Sequence, residues 1–379
     1  MLGLYLHIPF CAAICNYCNF NRGLLDEAVK RRYVDALVRE IESAAEPSVV
    51  VDTIFFGGGT PSLLGGAEVA RILDACRRAF AIAPGPEITL EANPETVSAA
   101  SLDAYRAAGV NRLSFGVQSF RDDELRRLGR LHSAGTALDA LQLARAAGYD
   151  NVSLDLMMWL PEQRIDQWLA SIDALIAAAP DHASLYLLEL YPNAPLREDM
   201  ARAGWSQAPD EDAATMYETA MDRLERAGYT QYEISNVAKP GRVSRHNVKY
   251  WEDGEWLGLG CGAHSTRRGV RWRNVAATMD YIRRVTDGES LVAERRVLDA
   301  EERLEEALFT GIRLTAGLDL PAVAERYGVD VWDRYGGELT RFVDAGLLVH
   351  DPDVRLRLTR RGMLLANEVM AVFIGPAVR

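Results

Sequence analysis

Three cysteines fall within eight residues, Cys11, Cys15 and Cys18 of FCAAICNYCNF, in the spacing C-x3-C-x2-C. Three thiolates can hold three irons of a four-iron, four-sulfur cubane, because each corner iron needs one external ligand. The fourth iron is then open to a small molecule. A zinc knuckle would need a fourth Cys or His, and the nearest, His7, lies on a short apolar segment ahead of the loop. The total of five cysteines is odd, which disfavours a disulfide framework. Cys76 and Cys261 stand in apolar or Gly-rich surroundings and read as buried free thiols.

Other residues with chemical potential recur at the ends of apolar segments. GGGTP (Gly57 to Pro61) is a run of glycines that lets a ligand approach the backbone closely. Glu91, Gln118 and Asp155 stand among apolar neighbours. A charged or amide side chain buried there needs partners, either a polar ligand or a helix cap or salt bridge of the fold itself. SRHNVKYWEDG carries His246, Asn247, Tyr250 and Trp251. Its imidazole could ligate heme iron, with the two aromatic residues against the macrocycle, or it could simply cap a structural turn. Cys261 and His264 of GLGCGAHS are reserve ligands.

The elements that must position these residues alternate over the first half of the chain. Expected strands are Leu2–Ile8, Val51–Phe56, Glu87–Ala92, Arg112–Val117, Asn151–Met157 and Ala183–Leu190, apolar enough to be covered on both faces. Amphipathic stretches lie between them: Lys30–Ala45, Ala67–Phe80, Ser98–Ala108, Ser133–Ala147 and Ile165–Ala179. Six β-α units predict an open, partial TIM-type (β/α)6 barrel, an α/β fold with a parallel sheet. In such barrels reactive groups gather where strands end. The cysteines follow strand one, GGGTP follows strand two, Glu91 and Asn93 end strand three, and Gln118 follows strand four. Asp155 lies in the second half of strand five, and Arg130 just beyond the short helix after strand four. Residues 1–235 read as this barrel and 236–290 as a connecting segment of different character. Residues 291–379 read as a small helical domain with a wing hairpin near Leu347–Leu358.

Length and charge bound the function. The chain has 379 residues, 49% hydrophobic and 25% charged, with a formal net charge of −12, which argues against a nucleic-acid or anionic-membrane binder. The winged segment 291–379 holds 12 Arg against 15 Asp and Glu, so DNA binding is not expected of it. No secretory leader is expected ahead of strand one, and no apolar run reaches the length of a membrane span. A reducing, cytoplasmic compartment is predicted.

LYLHIPFCAAICNYCNF, FFGGGTPSLL, LEANPE, LSFGVQSF, LGRLHSA, LDLMMWLP and QYEISN together resemble the coproporphyrinogen-dehydrogenase branch of the radical S-adenosylmethionine (SAM) superfamily. ERLEEALFTGIRLTAGLDL resembles the start of that branch's small C-terminal domain, so the likeness covers nearly the whole chain. The resemblance implies that Cys11, Cys15 and Cys18 ligate a four-iron, four-sulfur cluster whose open iron takes SAM. It places Tyr5, Gly58, Gly59, Thr60, Glu91, Gln118, Arg130 and Asp155 around SAM, with Tyr17 against its adenine.

Within the branch, three features point to the heme-chaperone family rather than the dehydrogenases. A dehydrogenase carries a further Cys where this chain has Phe20, and it has an N-terminal arm where strand one here begins at residue 2. The H-N-x-x-Y-W pattern of His246 to Trp251 is the third, and it implies heme ligation by His246. The expectation is therefore a carrier that binds heme and hands it to an acceptor protein, which the family implies to be a respiratory membrane enzyme. The alternatives are a radical SAM enzyme acting on a porphyrinogen, in the manner of an oxygen-independent coproporphyrinogen oxidase, or a methyltransferase of the same branch. The chain departs from the family at Asn19, where Asp is common, and at Trp159 and Glu162, where glycines are common. These changes sit near the mouth of the barrel, where they are expected to alter what lies beside SAM.

Overall fold

The computed structural model describes residues 1–374. Strands β1 (Leu2–Ile8), β2 (Glu46–Gly58), β3 (Phe80–Ala92), β4 (Arg112–Gln118), β5 (Val152–Met158) and β6 (His182–Leu187) lie side by side in chain order, all parallel. Helices α1 (Glu27–Ser43), α2 (Gly66–Ala79), α3 (Ala99–Ala108), α4 (Asp122–Arg127), α5 (Ala134–Ala146) and α6 (Ile165–Ala178) return the chain between them. This is the partial (β/α)6 barrel the pattern predicts. α1 begins three residues before Lys30 because the Asp26 carboxylate accepts the Ala28 and Val29 amides, satisfying two otherwise orphaned donors.

The strands are not apolar on both faces. Their outer face is Leu4, Leu6, Ile54, Phe56, Ile88, Leu90, Leu113, Phe115, Leu154 and Leu156, buried under the helices. Register sets the inner rows: Tyr5 beside Phe55, Phe55 beside Thr89, and Thr89 beside Arg112. One step towards the strand ends, Glu91 neighbours Ser114, Ser114 neighbours Ser153, and Asp155 neighbours Ser184. A period of two hides this polar lumen within segments that read as apolar overall.

After α7 (Pro195–Ala203) and α8 (Asp210–Arg226), the sheet grows at both edges to twelve strands. β7 (Thr230–Glu233) and β8 (Asn236–Ala238) add antiparallel beyond β6. α9 (Arg245–Trp251) follows, and then β9 (Trp256–Leu259) lies parallel to β1 on the opposite edge. β10 (His264–Arg267), β11 (Val270–Asn274) and β12 (Val292–Val297) extend that edge antiparallel. Residues 236–290, including α10 (Thr278–Asp287), are thus woven into the main sheet. Beyond it lie α11 (Ala300–Gly311), α12 (Leu320–Tyr327) and α13 (Val331–Asp344). The hairpin of Leu348–Asp351 and Arg355–Leu358, paired to Leu318–Asp319, forms the wing.

Candidate cofactor site at the barrel mouth

The cysteine loop is tied down at its ends and its middle. Gly23 and Leu25 amides return to the carbonyls of Pro9 and Cys11, at 2.7 and 2.9 Å. Asn16 Nδ2 donates to Arg127 O at 2.8 Å and to Asp199 Oδ2 at 2.9 Å, which pins the loop tip to α4 and α7. The glycine run supports the loop from beneath: Gly59 N reaches Ile8 O at 2.8 Å and Thr60 N reaches Phe10 O at 2.7 Å. A Cβ on Gly59 would stand 2.6 Å from Phe10 O, and one on Gly58, whose φ is +114°, would stand 2.6 Å from the His7 ring. Both glycines are therefore required by the loop itself, before any ligand is considered.

A cavity of about 410 Å³ opens beside this loop. Cys11, Cys15, Cys18, Tyr17, Gly58, Gly59, Thr60, Glu91, Gln118, Arg130 and Asp155 all line it. Tyr5 does not line it; its hydroxyl meets His7 Nδ1 at 3.2 Å. Among the described residues no three His, Cys, Asp or Glu side chains close around a single ion. The three thiols face one shared space instead, which suits separate corners of a cluster. Arg130 Nη1 lies 3.3 Å from Cys15 Sγ, and Thr60 Oγ1 lies 3.7 Å from Cys11 Sγ. A cation and a hydroxyl beside sulfur favour the thiolates that iron requires. Without a metal, burial pushes the Cys11 and Cys18 thiols up.

The carboxylates behind the thiols are held at a cost. Burial, with Asp155 next to it, pushes Glu91 up to about 8, even though Gly58 N donates to its Oε2 at 3.3 Å. Burial raises Asp155 too, against hydroxyls from Ser184, Ser114 and Ser153. Arg130 Nη2 bridges Asn93 Oδ1 at 2.8 Å and Gly116 O at 2.7 Å, with its Nε unpaired and buried. Gln118 adopts a φ of +70°, strain that a non-glycine residue bears at the cavity wall. Buried acids short of counter-charge, next to an unpaired guanidinium nitrogen, fit a ligand that carries both signs of charge. SAM, with its ammonium, sulfonium and carboxylate, is such a ligand.

Trp159 and Glu162 line a different surface from the one expected, since neither borders this cavity. Both take the left-handed conformation, φ +62° and +58°, which glycine adopts without penalty. Contacts to the 205–209 segment compensate: Trp159 Nε1 donates to Ala208 O at 2.7 Å, and Ser206 N donates to Glu162 Oε1 at 2.8 Å.

The His246 motif is not part of the mouth. α9 lies at the other end of the lumen, where Glu87 accepts the Arg245 and His246 amides, both at 2.9 Å. The His246 side chain is 1% exposed, stacks on Phe55 with ring centroids 5.2 Å apart, and has both ring nitrogens engaged. Nδ1 meets Thr53 Oγ1 at 2.9 Å and Nε2 meets Tyr250 Oη at 2.8 Å. Burial and the Lys249 charge lower its pKa to about 3, so the ring is neutral. Asn247 is half-buried on the same helix, and Arg313 stacks 4.4 Å above the Trp251 ring. Cys261 is buried and His264 exposed, and neither lines the cavity. Cys76 is buried in α2, its thiol pushed up by burial to about 12.

Sequence reasoning missed Arg22, Ser114, Tyr186 and Arg112. Arg22 donates to the carbonyls of Cys18 and Phe20, and Ser114 to the Asp155 carboxylate at 3.2 Å. Arg112 is buried in the lumen with its Nε unpaired. The available signal was alternation: each of the last three occupies an inward position of its strand.

Residues 5–175 match the Radical SAM superfamily, and residues 298–365 match the HemN C-terminal domain. The chain is 36% identical over 380 residues to a Bacillus subtilis protein named heme chaperone HemW, covering 99% of this chain and 100% of that one. It is 38% identical over 379 residues to heme chaperone HemW of Mycobacterium tuberculosis, covering 98% and 95%. To the Bos taurus protein named radical S-adenosyl methionine domain-containing protein 1, mitochondrial, it is 39% identical over 388 residues, covering 97% and 85%. Among solved structures, coproporphyrinogen III oxidase (HemN) of Escherichia coli, described as a radical SAM enzyme, matches with a TM-score of 0.86. That match has 24% identity and covers 98% of this chain and 89% of the other, a likeness of fold.

Proposed function

Because the chain belongs to the radical SAM superfamily and, within it, to the HemW family, we propose that it is a heme chaperone, binding heme and passing it to an acceptor protein. The observation that carries this reading is the end-to-end identity with proteins named for that role, through both the cysteine loop and the small C-terminal domain. Cys11, Cys15 and Cys18 would hold three irons of a four-iron, four-sulfur cluster. Tyr17, Gly58, Gly59, Thr60, Glu91, Gln118, Arg130 and Asp155 would surround SAM, with Tyr5 behind them. When bound, this pair supplies one-electron reduction of the SAM sulfonium. The chain's own contribution is to place acids and Arg130 around the ligand and to limit water at the cluster through the buried loop.

The family pattern implies His246, Asn247, Tyr250 and Trp251 as a heme element, but in the folded chain His246 is sealed at the barrel floor with both ring nitrogens engaged. Iron ligation by His246 requires α9 to leave the barrel floor, giving up the bonds to Thr53 and Tyr250. Five free cysteines fit a cytoplasmic location. The acceptor implied by the family is a respiratory membrane enzyme, and no helix among the described residues of this chain is long and apolar enough to cross a membrane.

Anaerobically reconstituted protein should bind ferric heme, followed by the Soret band, and release it to an acceptor apoprotein. Failure of wild type to bind heme would sink the reading. A radical SAM enzyme acting on a porphyrinogen is the second reading, supported by how many ligand-competent side chains the cavity collects. SAM cleavage that depends on added coproporphyrinogen would favour it.

A further inference from the structure

We propose that ferric heme is held at the rim of the cluster pocket, with the Tyr191 phenolate as axial ligand and Phe20 and Leu187 against the macrocycle. This rests on the chaperone reading and names its site. Large apolar side chains on a protein surface are normally scattered. Here Phe20 is 64%, Leu187 47%, Tyr186 41% and Tyr191 39% exposed, and all four line the same cavity of about 410 Å³. They come from two chain segments, the residues after the third cysteine and those after β6, so the rim is a surface on both sides of one opening. A cluster of this kind marks a binding face. A flat, apolar macrocycle with an iron at its centre needs aromatic and aliphatic contacts plus one ligating atom.

The candidates for that atom are few. None of the six histidines lines this cavity, and His246 is sealed at the far end. The three cysteines are committed to the cluster. Tyr186 turns its hydroxyl towards Ser184 and Asp155 in the lumen. Tyr191 is different: it is exposed at the rim, and its hydroxyl donates to Glu189 Oε2 at 2.9 Å, with Glu189 on the same rim. Phenolate is an established ligand of heme iron. On binding, the oxygen–iron bond forms, water leaves the ferric iron, and the phenolic proton passes to Glu189 and then to solvent. No electron is transferred. Phe20 sits where a dehydrogenase has cysteine, so this chain has an apolar contact where that family has a thiol.

The test uses the full chain, cluster-loaded under anaerobic conditions and titrated with ferric heme, read by affinity and by optical and electron paramagnetic resonance spectra. Tyr191→Phe should weaken binding roughly tenfold or more and abolish the high-spin phenolate signature. Phe20→Ser should weaken binding with the signature kept, and His246→Ala should leave the signature unchanged. Iron content and SAM binding, retained in all three, confirm that the fold is intact. An unchanged spectrum and affinity in Tyr191→Phe would overturn the site. So would a spectrum lost in His246→Ala alone, which would leave the chaperone reading standing with its ligand on α9. Wild type that binds no heme overturns both.

Discussion

The two ends of the barrel lumen use similar residues in opposite ways. At the mouth, Glu91, Asp155, Arg130 and three thiols surround a cavity of about 410 Å³, with Arg130 Nε unpaired. At the floor, His246, Thr53 and Tyr250 close on one another and on Phe55, and both imidazole nitrogens are engaged. The mouth leaves polar groups waiting for a ligand, which costs stability; the floor satisfies them internally, which supplies it. Their pH responses have opposite sign. Glu91, raised to about 8, is held neutral in the fold, and its contribution is lost as pH rises from the usual carboxylate range through 8. His246, lowered to about 3, is also held neutral, and its contribution is lost as pH falls from about 6.5 towards 3.

Breaking the mouth at the proposed cluster ligands should have the largest effect and leave the floor intact. Cys15→Ser should abolish cluster loading, seen as loss of bound iron and of the iron–sulfur absorbance. The thermal midpoint of the metal-free protein should hardly move.

Breaking the floor should do the reverse. His246→Ala leaves a cavity and strands the Thr53 and Tyr250 hydroxyls, so it should cost about 3 kcal/mol in urea unfolding with SAM affinity retained. If stability survives, α9 is not the closed floor described above. The same variant should flatten stability against pH between about 6.5 and 4, by up to about 1.4 kcal/mol per pH unit relative to wild type. His7 and His182 are lowered by burial as well and will keep part of that slope in both proteins.

Glu91→Gln sharpens the contrast because it should split function from stability. SAM affinity, by equilibrium dialysis, should fall roughly tenfold. The ligand-free protein at pH 8 should become more stable by on the order of 1 kcal/mol, since a buried acid no longer has to stay protonated. A loss of stability instead would mean that Gly58 N and its neighbours already repay the carboxylate.

The smallest effect is expected outside the barrel. Trp251→Phe shrinks the ring beneath the Arg313 guanidinium and leaves the Arg313–Glu233 ion pair in place, a cost of about 0.5–1 kcal/mol. Amide exchange should accelerate in residues 245–251 and not in the cysteine loop. Equal acceleration in both would show the two ends to be one cooperative unit.

Much of the mouth was legible in the sequence because its residues sit at predictable places. The cysteines, GGGTP, Glu91 and Gln118 each follow or end a strand whose apolar pattern is plain, and a parallel β-α repeat brings all strand ends to one side. Arg112 and Ser114 were not legible, since they lie within runs dominated by Leu, Phe and Val, and only the alternation of the built sheet turns them inward. The 236–290 segment looked separate because its short strands are rich in Gly and aromatic residues. Pairing with β1 and β6, far away in sequence, is what makes it sheet edge.

Spacing and residue type alone determined the grouping of three thiols, the barrel and the family resemblance, because these depend on local pattern and chain order. Tertiary structure decided which chemical groups are free to act. His246 and Tyr191 are both ligating side chains beside aromatic neighbours, and nothing local distinguishes an available one from a buried one. The difference arises from long-range packing: Thr53, Phe55 and Glu87 come from strands about 160–190 residues earlier to close over His246. Tyr191 is left on the rim, its hydroxyl donating to Glu189 and lying beside Asn19.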